Sequence, residues 1–206
     1  MTSDEAATEH SEDLNDPAQG AQGAQGPYDV DELPEDDALE RVDLGSLLIA
    51  PFAGRELRLQ VEEQTGEVRA VLLADEQGAV ELRAFAAPRG GDLWGEIRPQ
   101  IAADTSRRGG TATEREGRFG TELLCEVGVV LPDGTQATQL SRVVGINGPR
   151  WLLRATFLGA PAQDQGAAGP WDDAVAQTVV RRGNHAMPVG EQLELRLPEG
   201  VQQVEG

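Results

Sequence analysis

Lysine is missing from the 206-residue chain, and all 17 basic residues are arginine. Without a side-chain amine there is no Schiff-base nucleophile, no attachment point for pyridoxal phosphate, and no phosphate-loop or kinase-type lysine. Histidine occurs only as His10 and His185, and tyrosine only as Tyr28. The single cysteine, Cys125, excludes an intramolecular disulfide and a thiolate zinc site assembled from one chain, and it fits a reducing, cytoplasmic setting. No run approaches the ~18 consecutive apolar residues that suggest a bilayer span. Residues 1–16 are acidic where an export signal would be basic and then apolar. Membrane insertion is therefore not expected. Proton transfer or nucleophilic attack is left to Asp, Glu, Ser, Thr, Cys125 and His185, and no spacing of these marks a catalytic, cofactor or metal site.

What the chain does have is negative charge, a formal −19 from 36 acids, distributed unevenly. Residues 1–43 hold 14 of those acids and one arginine, Arg41. Nucleic-acid affinity rests on clustered cations that displace counterions, so direct DNA or RNA binding is not expected. Residues 1–40 are mostly Asp, Glu, Ala, Gln, Gly and Pro, with an Ala-Gln-Gly repeat over 20–26 and no apolar periodicity. Such a stretch buries too little apolar surface to offset its ordering entropy and reads as a disordered acidic tail. It serves either as a solubilising bristle or as an arm for a basic partner. A single domain is expected over 41–200, followed by a flexible end at 201–206.

Within that domain, Leu44, Leu47, Leu48, Ile49 and Phe52 form an apolar lead-in. Residues 56–62 then alternate, with Leu57, Leu59 and Val61 on one face, and apolar runs at 67–74 and 79–86 follow across tight turns. This predicts a three-stranded antiparallel meander. Leu93, Trp94, Ile97 and Ile101 have helical spacing, with Pro99 predicting a kink or split near residue 98. Strand patterns return at 111–117, 121–131, 136–146 and 150–158. A last helix is predicted from Pro170, with Asp172 and Asp173 in its first turn and Arg181 and Arg182 in its last, ahead of Gly183. Its inner face is read as Trp171, Ala174, Val175 and Thr178 or Val179, and Leu193, Leu195 and Leu197 suggest a terminal strand. The expected fold class is α+β, a mainly antiparallel twisted sheet of about seven to eight strands with two covering helices.

Several strings carry a resemblance: Arg41-Val-Asp-Leu-Gly-Ser-Leu-Leu-Ile49, Ala84-Phe-Ala-Ala-Pro-Arg89 with Leu93-Trp94, Phe119-Gly-Thr-Glu-Leu123, Gly148-Pro-Arg-Trp151 and Leu195-Arg-Leu-Pro198. Over 41–198 the chain resembles an uncharacterised actinobacterial family, domain of unknown function 3710. The resemblance implies a fold and a lineage, and it implies no reaction, catalytic residue or cofactor.

The candidate partner-binding residues are Arg150, Leu152, Arg154 and Phe119. Strand alternation puts Arg150 and Arg154 on one face beside Leu152, read as exposed, with Trp151, Leu153, Ala155 and Phe157 on the other. Arginine and aromatic side chains are favoured at interaction hot spots, although salt bridges to neighbouring strands account for the arginine row equally well. Phe119 lies in a glycine-flanked turn, either as a docking knob or folded back on the sheet. Cys125 reads as a small buried hydrophobe, His185 as an exposed loop residue, and Trp94, Trp151 and Trp171 as core anchors. The leading expectation is a non-enzymatic module that binds a protein partner or a second copy of itself. The alternative is a protein that binds a small anionic ligand, or a carboxylate-dependent enzyme, with a pocket between sheet and helices.

Overall fold

The structure, a computed structural model, describes residues 26–33 and 35–198. Residues 1–25, 34 and 199–206, with most of the expected tail and the expected C-terminal end, lie outside the described residues. In chain order the elements are β1 (Tyr28–Asp29), β2 (Val42–Asp43), β3 (Leu47–Ile49), β4 (Glu56–Val61), β5 (Val68–Ala74), β6 (Gly78–Ala86), α1 (Leu93–Arg107), β7 (Thr111–Gly117), β8 (Gly120–Val130), β9 (Gln136–Asn147), β10 (Trp151–Gly159), α2 (Ala160–Gln163), α3 (Gln165–Ala176) and β11 (Val179–Val180).

The fold is α+β, built on a seven-stranded antiparallel sheet in the order β4-β5-β6-β10-β9-β8-β7. The predicted meander is present as β4 to β6, and the four later strand patterns as β7 to β10. A second sheet, β1-β11-β3-β2, packs with α2 and α3 over the inner face of the large one. Leu44, Leu47, Ile49 and Val180 from that layer meet Val71, Leu73, Val80, Leu82, Leu153 and Phe157 from the large sheet in one core. Trp151 and Trp171 are buried there, and a fully buried apolar side chain contributes ~1.5–3 kcal/mol. On the outer face, α1 covers β7 to β9 and closes a smaller core of Leu93, Trp94, Leu123, Cys125, Val143 and Leu152.

Four expectations change. Helix α1 runs unbroken through Pro99, which lies exposed on its solvent side. The freed Gly95 carbonyl can take water there, while Leu93 and Trp94 before it and Thr105 after it hold the buried face. The last helix begins at Gln165, capped by the Asp164 carboxylate accepting from the Gly166 N–H, and ends at Ala176. Val179 and Val180 instead form β11, a parallel partner of β1 and an antiparallel partner of β3, so Arg181 and Arg182 follow a strand. β-Branched residues with free backbone partners on both sides favour that outcome over another helical turn. Leu193 and Leu195 are buried without a named strand: Leu195 bridges Gly45 and Val68, Gln192 bridges Phe85, and the Leu193 N–H donates to the Ala84 carbonyl at 2.8 Å. Order also begins before Arg41, because β1 pairs with β11 and the Asp29 carboxylate accepts the Trp151 indole N–H at 2.7 Å.

Candidate functional site

Of the four candidate residues, Leu152 is fully buried, because the outer face of β10 is roofed by α1 at that position, and it is not an exposed apolar contact. The roof is fixed by Trp94. Its indole N–H donates to the Thr121 carbonyl at 2.7 Å, and its ring lies where a Cβ on Gly145 would come within 2.2 Å. Arg154 remains on the outer face, beyond α1, directly across from Arg83 in the β6–β10 register. Its guanidinium stands 5.2 Å from the Phe85 ring, while Arg83 is paired with Glu81 at 2.8 Å. Burial, then the facing Arg83, lower the Arg154 pKa, with Glu81 acting against them. Phe119 is half-buried against the inner core with Arg118 over its ring at 5.6 Å. Arg150 is elsewhere, so the expected row is divided between two surfaces.

Arg150 stands in a cleft of about 660 Å³ at the end of the fold where β10 begins and β11 ends. Two turns build one wall: the Ala87 N–H donates to the Arg150 carbonyl at 3.0 Å, and the Gly90 N–H to the Pro149 carbonyl at 3.2 Å. This tie brings Arg89 and Arg150 into the same cleft. Gly148 is required nearby, because a Cβ there would meet the Trp151 indole at 2.1 Å. The residues after β11 bring Arg181 and Arg182, anchored by the Arg181 N–H donating to the Ser46 carbonyl at 2.8 Å. Asp29, Asp31 and Glu32 complete the lining.

The four arginines differ in how they are compensated. Arg181 donates to both Asp43 carboxylate oxygens, at 2.8 and 2.9 Å, and to the Gly45 carbonyl at 2.9 Å. Burial pushes the Asp43 carboxyl up, but the Gly45 N–H and Arg181 outweigh it and hold the group below its ordinary range. Arg150 donates only to the Gly183 carbonyl, at 2.7 Å, and Arg182 to the His185 carbonyl, at 3.1 Å. Among the described residues, no carboxylate lies within 4.0 Å of Arg89, Arg150 or Arg182. Three guanidiniums in one cleft that are not in direct ion pairs can receive carboxylate or phosphate oxygens, which arginine grips through paired N–H donors. The sequence pattern places Arg181 and Arg182 at a helix end and gives Arg89 no binding role. The usable signal was the Arg-Arg doublet followed by Gly183, a left-handed turn residue at φ +70°.

Charged residues also meet in the interior. Arg142 bonds Asp172 of α3, lies 3.9 Å from Glu122 and stacks 3.9 Å over the Phe157 ring. Arg115 holds Glu122 at 2.7 Å. This group joins α3 to β7, β8 and β9. Cys125 lies under α1, while His185 is exposed at the rim of a different region. Among the described residues, no three of His, Cys, Asp and Glu gather to hold a metal, and no helix is long and apolar enough to cross a membrane.

The family model described as protein of unknown function (DUF3710) matches residues 26–204. Among curated proteins none matches the chain.

Proposed function

Since this chain belongs to DUF3710, a family of proteins of unknown function, and takes no reaction from it, we propose that it is a non-enzymatic binding module. Its arginine cleft captures an acidic segment of a partner protein. The observation that carries this reading is the placement of Arg89, Arg150 and Arg182 around one open cleft, none of them with a carboxylate within 4.0 Å although Asp29, Asp31 and Glu32 share the lining. Self-association is the weaker version, because two copies each at −19 repel. A foreign acidic segment faces the same field, but at physiological salt that field is screened beyond ~8 Å. Close to the surface, the local guanidiniums decide.

The test is fluorescence anisotropy of a labelled glutamate-rich decapeptide against the full chain, with the glutamine counterpart as control. Only the glutamate peptide should bind, and its affinity should fall as salt rises. Arg89→Gln and Arg150→Gln should each weaken it about threefold to fivefold, the range of exposed charge pairs. Equal binding of the glutamine peptide, or unchanged affinity in both variants, would refute the reading.

A further inference from the structure

We infer that the hollow formed by Ser46, Arg181, Arg182, His185 and Arg196 is a binding site for a small oxyanion of the phosphate class. It shares Arg181, Arg182 and Gly183 with the acidic-segment cleft but adds Ser46, His185 and Arg196, which that cleft lacks, and it does not rest on the function proposed there.

Unsatisfied buried polar atoms point to it. Four side-chain atoms among the described residues are shut from solvent without a hydrogen-bond partner: Ser46 Oγ, Arg55 Nε, Arg142 Nε and Arg182 Nε. Two of these have a carboxylate at hand, Arg55 Nε at 3.4 Å from Asp75 and Arg142 Nε at 3.9 Å from Glu122. Ser46 Oγ and Arg182 Nε have none, and both residues line the same hollow. A buried donor left unmade costs the full desolvation of that group, so each of these two side chains, on residues lining one hollow, favours an acceptor there. Arg182 Nε–H can only donate, and the Ser46 hydroxyl can turn to donate beside it.

The surrounding charge selects the acceptor. Arg181, Arg182 and Arg196 face two carboxylates, Asp43, which takes Arg181, and Glu194, which holds Arg196 at 3.2 Å. One cation, Arg182, is left over without a carboxylate partner. Water would satisfy the two donors but would leave that charge unanswered. The size of the hollow sets the class of ligand. At about 220 Å³ it has room for about seven waters at ~30 Å³ each, enough for a phosphate group and its remaining hydration. Arg196 and His185, both exposed, stand among its lining residues, and a rotation about the Ser46 Cα–Cβ bond presents the hydroxyl.

The experiment uses the full chain with ¹⁵N-labelled arginine, titrated with inorganic phosphate at ionic strength held constant with chloride. The Arg182 Nε–H resonance should shift and saturate, and Ser46→Ala should weaken phosphate about threefold to tenfold while leaving the fold intact, since the hydroxyl it removes has no partner. Should Ser46→Ala fail to fold, the Arg182 resonance of the unsubstituted protein still decides. Phosphoserine amide is the second arm: equal or tighter binding assigns the site to phosphate esters, and binding of inorganic phosphate alone assigns it to the free ion. A crossed pair separates this site from the cleft, because Arg89→Gln should leave phosphate affinity unchanged and Ser46→Ala should leave the acidic-peptide affinity unchanged. An Arg182 resonance that ignores both probes, or a Ser46→Ala protein that binds phosphate as the parent does, overturns the inference.

Discussion

Replacing Arg142 by methionine tests whether the interior charges hold α3 on the sheet. Arg142 is 3 % exposed, between Glu122 at 2 % and Asp172 at 7 %. The substitution keeps an apolar side chain of similar length over Phe157 but removes the cation bonded to Asp172. Glu122 keeps Arg115 at 2.7 Å, so the uncompensated group is Asp172. Breaking a buried ion pair from one side costs ~3–5 kcal/mol, because a charge is left buried without a partner. With a urea m-value of ~2 kcal/mol/M, the unfolding midpoint should fall by about 1.5–2.5 M. Removing the stranded charge as well should recover most of the loss: Arg142→Met combined with Asp172→Leu should lie within ~1–2 kcal/mol of the parent, since well-packed apolar replacements of buried ion pairs are often neutral. The assay is equilibrium urea unfolding at pH 7, followed by tryptophan fluorescence and far-ultraviolet circular dichroism. A loss below about 1 kcal/mol for Arg142→Met, or a double variant whose loss equals the sum of the two single losses, would show that these charges are solvated and do not fasten the helix.

Two further outcomes follow from the packing and from the site's rim. Gly145→Ala should destabilise by about 1–3 kcal/mol and shift tryptophan emission to the red, because its Cβ would come within 2.2 Å of the Trp94 ring and displace the indole from the Thr121 carbonyl; a variant with the parent's emission and midpoint would show that Trp94 does not depend on that glycine. Asp43 contributes stability that is present above its unfolded pKa near ~3.9 and is lost as pH falls through its lower folded value, so Asp43→Asn should flatten the decline of the urea midpoint below about pH 4. Parallel pH series of parent and variant that decline identically would contradict the Asp43–Arg181 linkage.

The alternation of Leu57, Leu59 and Val61, the turn residues and the apolar runs were enough to fix the seven strands of the large sheet, because a strand half-buried on a sheet writes its period into its own residues. The absence of lysine, the lone Cys125 and the acidic charge likewise depend on nothing beyond the sequence. Composition excluded whole classes of chemistry on that basis. Tertiary structure decided what depends on partners distant in the chain. Val179 and Val180 left the helical pattern only because Leu47, Leu48, Tyr28 and Asp29 offered backbone partners from 131 to 151 residues away. Leu152 is buried because α1 happens to roof that end of β10, and alternation along a strand does not say which of its faces is covered. The cleft gathers Arg89, Arg150 and Arg182 from three separate connections, and Ser46, from a fourth, lines a hollow with Arg182. Local pattern records how each segment meets its immediate surroundings. The convergence of side chains at a binding site is a property of the closed fold.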